Sequence, residues 1–278
     1  MARVVLAGPR RWLGYGALVV VFAVVCGLLS WWQFARNEEA AERIRQVADN
    51  WDAAPVPLGE VLASPSDPFD PADTWTPVRM TGEYDTANQL LVRGRPRDGR
   101  PGFEVLVPFV PDDGRGVLVV DRGWVPVGET QGEVPDFVPP APRGPITVVA
   151  RLKAGEPSVP GRSAPEGQVA TIELPLIASI TGLDVFTSAY GVLDSEPGST
   201  LSAAPARASR PEPDPGPHLS YAVQWILFAI FAAAALVWAI RNERLQADPD
   251  YVPKPRRAKI GEGDAAEEDA LLDGPSTR

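Results

Sequence analysis

WLGYGALVVVFAVVCGLLSWW, residues 12–32, and YAVQWILFAIFAAAALVWAI, residues 221–240, bracket the chain and decide its fold. Each holds about 20 residues without a charged side chain, and at about 1.5 Å per residue each spans the roughly 30 Å hydrocarbon core of a bilayer. Two spans force everything between them onto one side of the membrane. Arg3, Arg10 and Arg11 precede the first run, and Arg241, Arg244, Lys254, Arg256, Arg257 and Lys259 follow the second. The positive-inside rule therefore places both ends in the cytoplasm. Trp12, Trp31, Trp32, Tyr221, Trp225 and Trp238 fall where aromatic belts sit. A cleaved signal peptide has a shorter apolar core ending in small residues; here the run ends in Trp31-Trp32-Gln33, which predicts an uncleaved anchor. The chain then divides into a cytoplasmic N-terminus (1–11), a first span (12–32), an extracytoplasmic domain (33–217), a second span (218–240) and a cytoplasmic tail (241–278) that reads as disordered. The domain includes a Pro-rich connector (196–217).

Composition narrows the chemistry. Asp and Glu total 36 against 26 Lys and Arg, a net charge of −10, which argues against nucleic acid as a partner. The one cysteine, Cys26, lies inside the first run, so no disulfide forms within the chain. The one histidine is His218, and the methionines are Met1 and Met80. A soft-metal carrier needs clustered Cys, His or Met, and a hydrolytic triad needs a nucleophile beside its His. Neither pattern is present.

The middle of the chain reads as strands. Residues 78–85, 89–95, 103–110, 116–125 and 146–153 are short, β-branched and bounded by Gly, Pro and Asp. Asp98-Gly99 and Asp113-Gly114 are turn signals that favour antiparallel neighbours. Residues 169–174 and 185–194 read as two further strands. Between them 175–182 reads as a short helix, with Pro175 at its start and Gly182 at its end. After the first span, Ala40, Ile44, Val47 and Trp51 predict a short amphipathic helix ended by Pro55 and Pro57, with Glu39 and Arg43 spaced to pair. Residues 63–75 and 131–145 read as loops. The expected fold is a membrane protein with two transmembrane α-helices flanking one β-rich, antiparallel, barrel-like extracytoplasmic domain with short helices.

Three motifs stand in order along this frame: Leu29-Ser30-Trp31-Trp32-Gln33-Phe34-Ala35-Arg36 at the end of the first span; Gly102-Phe103-Glu104-Val105-Leu106-Val107-Pro108 followed by Arg122-Gly123-Trp124-Val125-Pro126; and His218-Leu219-Ser220-Tyr221-Ala222-Val223-Gln224-Trp225 opening the second span. Their order and spacing over residues 12–240 resemble the surfeit-locus protein 1 family, the membrane-anchored assembly factors of cytochrome c oxidase. Ser30 stands where that family usually has Gly, and Val107 where it has Thr. The resemblance implies no enzymatic activity and a place in the cell membrane. It implies assistance in haem a delivery to the oxidase's largest subunit, or stabilisation of an intermediate of that subunit. The implied partners are that subunit, haem a synthase and the lipid bilayer. The other reading is a structural accessory subunit of the oxidase or its supercomplex that binds no haem.

Within that resemblance the candidate haem a residues are His218, Tyr221, Trp225, Trp32, Gln33, Arg36, Arg122 and Trp124. Neutral imidazole ligates haem iron, and Tyr221 and Trp225 follow His218 at i+3 and i+7 on one helix face. The competing reading of His218 is an interfacial residue that caps its helix or bonds the domain above it. Arg36 suits a haem propionate or a domain carboxylate. Gly123 suits a bulge or a close backbone approach; Trp124 suits the core or a lid over the site. Arg93, Arg95, Arg97 and Arg100 form a basic stretch that reads as a solvated face or a contact for an acidic partner.

Overall fold

The computed structural model describes residues 9–129, 134–197 and 203–248. The expectations for the N-terminal residues 1–8, the loop residues 130–133, the connector residues 198–202 and the tail after 248 lie outside the described residues. The described residues form two compact units, a helical one that takes in residues 9–35 and 217–248 and a sheet domain within residues 36–216.

The first helix, α1, runs from Pro9 to Trp51. Two helices were expected here, and one unbroken helix is found. Between Trp32 and Trp51 the chain has no Gly or Pro, and it is rich in Ala, Glu, Arg and Gln, the strong helix formers. The helix stops four residues before Pro55. The last helix, α4, spans His218–Gln246. Both are long and apolar enough to cross a membrane.

Within the helical unit the two helices meet through small residues. Ser30 Oγ donates to the Ala222 carbonyl at 3.0 Å, and Cys26, Ser30 and Ala222 are all buried. Small side chains let two helix backbones approach closely. Cys26 is therefore a packing residue of the helix pair. Large apolar groups such as Leu13, Leu18, Phe231 and Trp238 point outward instead.

The sheet domain holds β1 (Val56–Pro57), β2 (Pro77–Tyr84), β3 (Leu90–Val92), β4 (Gly102–Pro111), β5 (Leu118–Pro126), β6 (Ile146–Ala154), β7 (Gln168–Val169) and β8 (Ala189–Ser195), with short helices α2 (Leu58–Val61) and α3 (Leu174–Thr181). The strand order is β1-β2-β6-β8-β5-β4-β3-β7. β2 also pairs with β4, so the ladders run β2-β6-β8-β5-β4 and return to β2. The expectation of an antiparallel sheet needs correction. β1–β2, β3–β7 and β5–β8 are parallel, and the other ladders antiparallel. The chain leaves β5 and returns as β8 only after β6 and α3, and such a long crossover permits parallel pairing.

Two details differ from the sequence pattern. The strand expected at 169–174 is confined to Gln168–Val169, because Ile172 bonds the loop after β6 instead. Glu156 N–H donates to the Ile172 carbonyl, and Ile172 N–H donates to the Glu156 carboxylate. The strand expected from 185 begins at Ala189; Val185 forms only an isolated bridge to Val117. The expected helix is found one residue earlier, at Leu174–Thr181, and Gly182 ends it in the left-handed conformation (φ 70°).

Alternation sorts the core. Val78, Met80 and Tyr84 of β2 point inward to join Val105, Val107, Phe109, Leu118 and Val120. The opposite face of β4 and β5, carrying Leu106 and Val119, is covered by Ile172, Leu174 and Ile177 at and around α3. β4 and β5 are thus buried on both faces, which is why they read as near-continuous apolar runs.

Candidate functional site

The helical unit brings Gln33 and His218 together. Gln33 lies on α1 and His218 opens α4 after Pro217. His218 Nδ1 and Gln33 Oε1 are 2.9 Å apart. In a neutral ring with the amide oxygen as acceptor, Nδ1 is the donor and Nε2 has the free lone pair. His218 is half-buried. The turn beside it is closed by Ser220 Oγ donating to the Pro217 carbonyl at 2.7 Å. Trp225 packs edge-on against Phe228, ring centroids 5.8 Å apart. Trp32 and Tyr221 are about half exposed, at 51% and 47%. These five residues offer one imidazole nitrogen and a set of aromatic faces.

The other three candidates belong to the sheet domain. Arg36 pairs with Glu39 at 2.8 Å, both side chains half exposed. Glu39 thereby takes Arg36 rather than the expected Arg43. Arg122 is the largest fully buried side chain among the described residues. Its Nε donates to Glu196 Oε1 at 3.2 Å, its Nη1 to the Pro139 carbonyl at 3.3 Å, and its guanidinium lies 5.4 Å from the Tyr84 ring centre. Trp124 is partly buried; its indole N–H donates to the Arg95 carbonyl at 2.7 Å. The ring lies over Gly102, where a Cβ would come within 2.2 Å of it.

A bulge explains how one strand presents both ends of this motif. Leu106 opposes Asp121 while Glu104 opposes Trp124, so β5 carries one residue more than β4. Gly123 takes up the extra residue at φ 127°, where a side chain is strained. Asp121 Oδ1 accepts the Gly123 N–H at 2.9 Å and steadies the turn.

Sequence reading passed over a charged cluster beside this bulge. Arg95 bridges Glu104, at 2.9 Å, and Glu156. Asp121 is buried behind them, and burial together with the Glu104 charge pushes its carboxyl up to about 7. Burial raises Glu104 as well. Burial also acts on Glu156, but the hydrogen bonds from Arg95 and the Ile172 N–H outweigh it and hold this carboxyl below its ordinary value. Lys153 stands over the Tyr190 and Trp75 rings at the rim. The cluster opens into a cleft of about 380 Å³ lined by Arg95, Glu104, Asp121, Trp124, Ala206 and Ser209. The available signal was Asp121-Arg122 inside an otherwise apolar strand. The basic stretch also divides: Arg95 is tied into this cluster, Arg97 Nη1 donates to the Ala206 carbonyl at 2.9 Å, and Arg93 and Arg100 are exposed. Among the described residues no group of three or more His, Cys, Asp and Glu is placed to hold a metal ion.

A sheet-rich domain that falls in the chain between two helices long and apolar enough to cross a membrane, with a histidine opening the second, defines the class of protein. The chain belongs to the SURF1 family, whose model matches residues 20–230. It is 35% identical to an uncharacterized SURF1-like protein of Mycobacterium bovis, over 90% of this chain and 94% of that one. It is 24% identical to surfeit locus protein 1 of Takifugu rubripes, over 80% of this chain and 93% of that one. It is also 24% identical to the cytochrome oxidase assembly protein SHY1 of Saccharomyces cerevisiae, over 42% of this chain and 30% of that one.

Proposed function

We propose that this protein is a non-catalytic assembly factor for cytochrome c oxidase, anchored in the cell membrane by α1 and α4, which holds haem a in transit to the largest subunit. Family membership, and the assembly role printed in the name of the yeast relative, support the oxidase reading. The observation that carries the haem reading is the His218–Gln33 hydrogen bond. An iron-ligating imidazole almost always donates its second N–H to a fixed acceptor, which sets the tautomer and orients the ring. Gln33 supplies that acceptor and leaves Nε2 as a donor atom for iron. Trp32, Tyr221 and Trp225 supply aromatic surface for a macrocycle. Bound haem a would supply iron for an imidazole nitrogen to bind and a visible absorption band, and the chain's own work would be to bind, orient and release it. Arg36 would have to leave Glu39 to reach an anionic group. The arginine excess at both ends supports a sheet domain outside the cytoplasm.

The test is the absorption spectrum of the full chain purified from cells that make haem a. His218→Ala keeps the helix, since alanine is the best helix former, and the haem band is expected to vanish or shift at normal protein abundance. Gln33→Ala is expected to weaken haem retention by about 10-fold or more, the cost of losing an orienting partner. An unchanged band in His218→Ala removes this residue as the ligand. Wild-type protein without haem favours a haem-free accessory subunit.

A further inference from the structure

The connector that leaves β8 is fastened along the sheet domain. At its start Glu196 is buried against Arg122. Ala206 then pairs with Trp124 as a strand would: Trp124 N–H donates to the Ala206 carbonyl and Ala206 N–H to the Trp124 carbonyl, both at 2.8 Å. Arg97 adds a third bond, to the same Ala206 carbonyl. Arg207 donates to the Asp194 carbonyl, and Arg210 pairs with Asp52 at 2.7 Å. Gly123 is the residue that allows this approach, because a Cβ there would stand 2.6 Å from the Ala206 carbonyl oxygen. β8 pairs with β5 only at Val120 and Asp121. Ala206 thus occupies the edge of β5 that β8 leaves open.

We infer that Arg97, Arg122, Gly123 and Trp124 form a clasp that docks residues 203–210 on the sheet in fixed register. Each member of Arg122-Gly123-Trp124 acts on the connector differently: by a buried ion pair, by the absence of a side chain, and by a two-bond bridge. These residues are positioning residues for residues 203–210 of the connector. Pro211, Pro213, Pro215 and Pro217 alternate through the segment that ends at His218. Such a run favours a stiff, extended chain, so fastening the connector at 206 and 210 restricts the last stretch before the helix. The functional half of this inference rests on the assembly reading above.

The test uses the full chain in detergent, followed by amide hydrogen exchange. Ala206→Pro removes the N–H that bonds Trp124 and alters only an exposed residue of the connector. Exchange at the Trp124 N–H is expected to rise about ten-fold, the effect of one lost hydrogen bond on a local opening, while β2 and β6 keep their protection. Gly123→Ala should do the same from the domain side; if it fails to fold, Ala206→Pro carries the test alone. Arg97→Lys, which keeps a donor, should exchange more slowly than Arg97→Met. In cells, Ala206→Pro is expected to lower the haem a content of membrane oxidase at unchanged abundance of the protein. Unchanged exchange in Ala206→Pro overturns the clasp. Faster exchange with full oxidase overturns its functional half. A strain lacking the protein that still builds normal oxidase overturns the assembly reading, and the exchange data then judge the clasp by itself.

Discussion

Replacing Arg122 by methionine should damage the domain out of proportion to the contacts removed. The guanidinium is fully buried, and its partner Glu196 is 4% exposed at the side chain. Taking away the cation leaves a carboxylate in the interior with its desolvation uncompensated, which typically costs about 3–5 kcal/mol. In a domain of this size each kcal/mol lowers the thermal midpoint by about 2–4 °C, so a fall of about 6–20 °C is expected. The informative comparison is the double variant Arg122→Met with Glu196→Leu. Removing both charges removes the desolvation cost along with the attraction, and such replacements are often close to neutral. The double variant should therefore be more stable than the single one by at least about 2 kcal/mol. Thermal and denaturant unfolding of the full chain, followed by the fluorescence of the domain tryptophans, measures both. A single variant within about 1 kcal/mol of wild type, or a double variant no more stable than the single, would refute the reasoning.

Three further outcomes are expected. Asp121 holds its proton to about pH 7 in the folded domain but releases it near pH 4 when unfolded. Its raised value thus supplies stability present at low pH and lost as pH rises through about 4 to 7. The unfolding midpoint should fall over that window, and Asp121→Asn should flatten the fall. Glu104 titrates in the same sense, so a residual slope is expected, and an unaltered slope in the Asn variant would exclude Asp121 as its source. Cys26→Ser should be tolerated and Cys26→Leu should not, because Cys26 is buried one helical turn before Ser30, whose hydroxyl bonds the Ala222 carbonyl; abundance in the membrane fraction reads the difference. Reporters fused to either terminus should be active in the cytoplasm and one inserted at Ser64 outside; a cytoplasmic Ser64 reporter would overturn the anchored topology.

Long periodic features were legible from residues alone. The two apolar runs became α1 and α4, and the strand pattern of β2, β4, β5 and β6 was placed to within a residue or two. Several of the misses share a cause in long-range bonding. Residues 170–173 have strand composition, yet Glu156 captures Ile172, and no local pattern announces a partner sixteen positions away. The break expected after the first span rested on a change from apolar to charged residues, which alters what a helix faces and not whether it continues. His218 and Gln33 were singled out separately, and only packing shows that they meet. Arg122 enters the sequence reading only through the resemblance, as a candidate haem a residue; its ion pair with Glu196 comes from a residue 74 positions later.

The ladders that leave β2 through β6, β8, β5 and β4 and return to it leave few open edges. Among the described residues the strand order ends on β1 and β7, each only two residues long. An unpaired strand edge is a template for a strand of another molecule, and a very short edge strand offers little to copy. Edge-to-edge association of such domains is therefore disfavoured by the way the ladders close, and lengthening β1 or β7 should raise it.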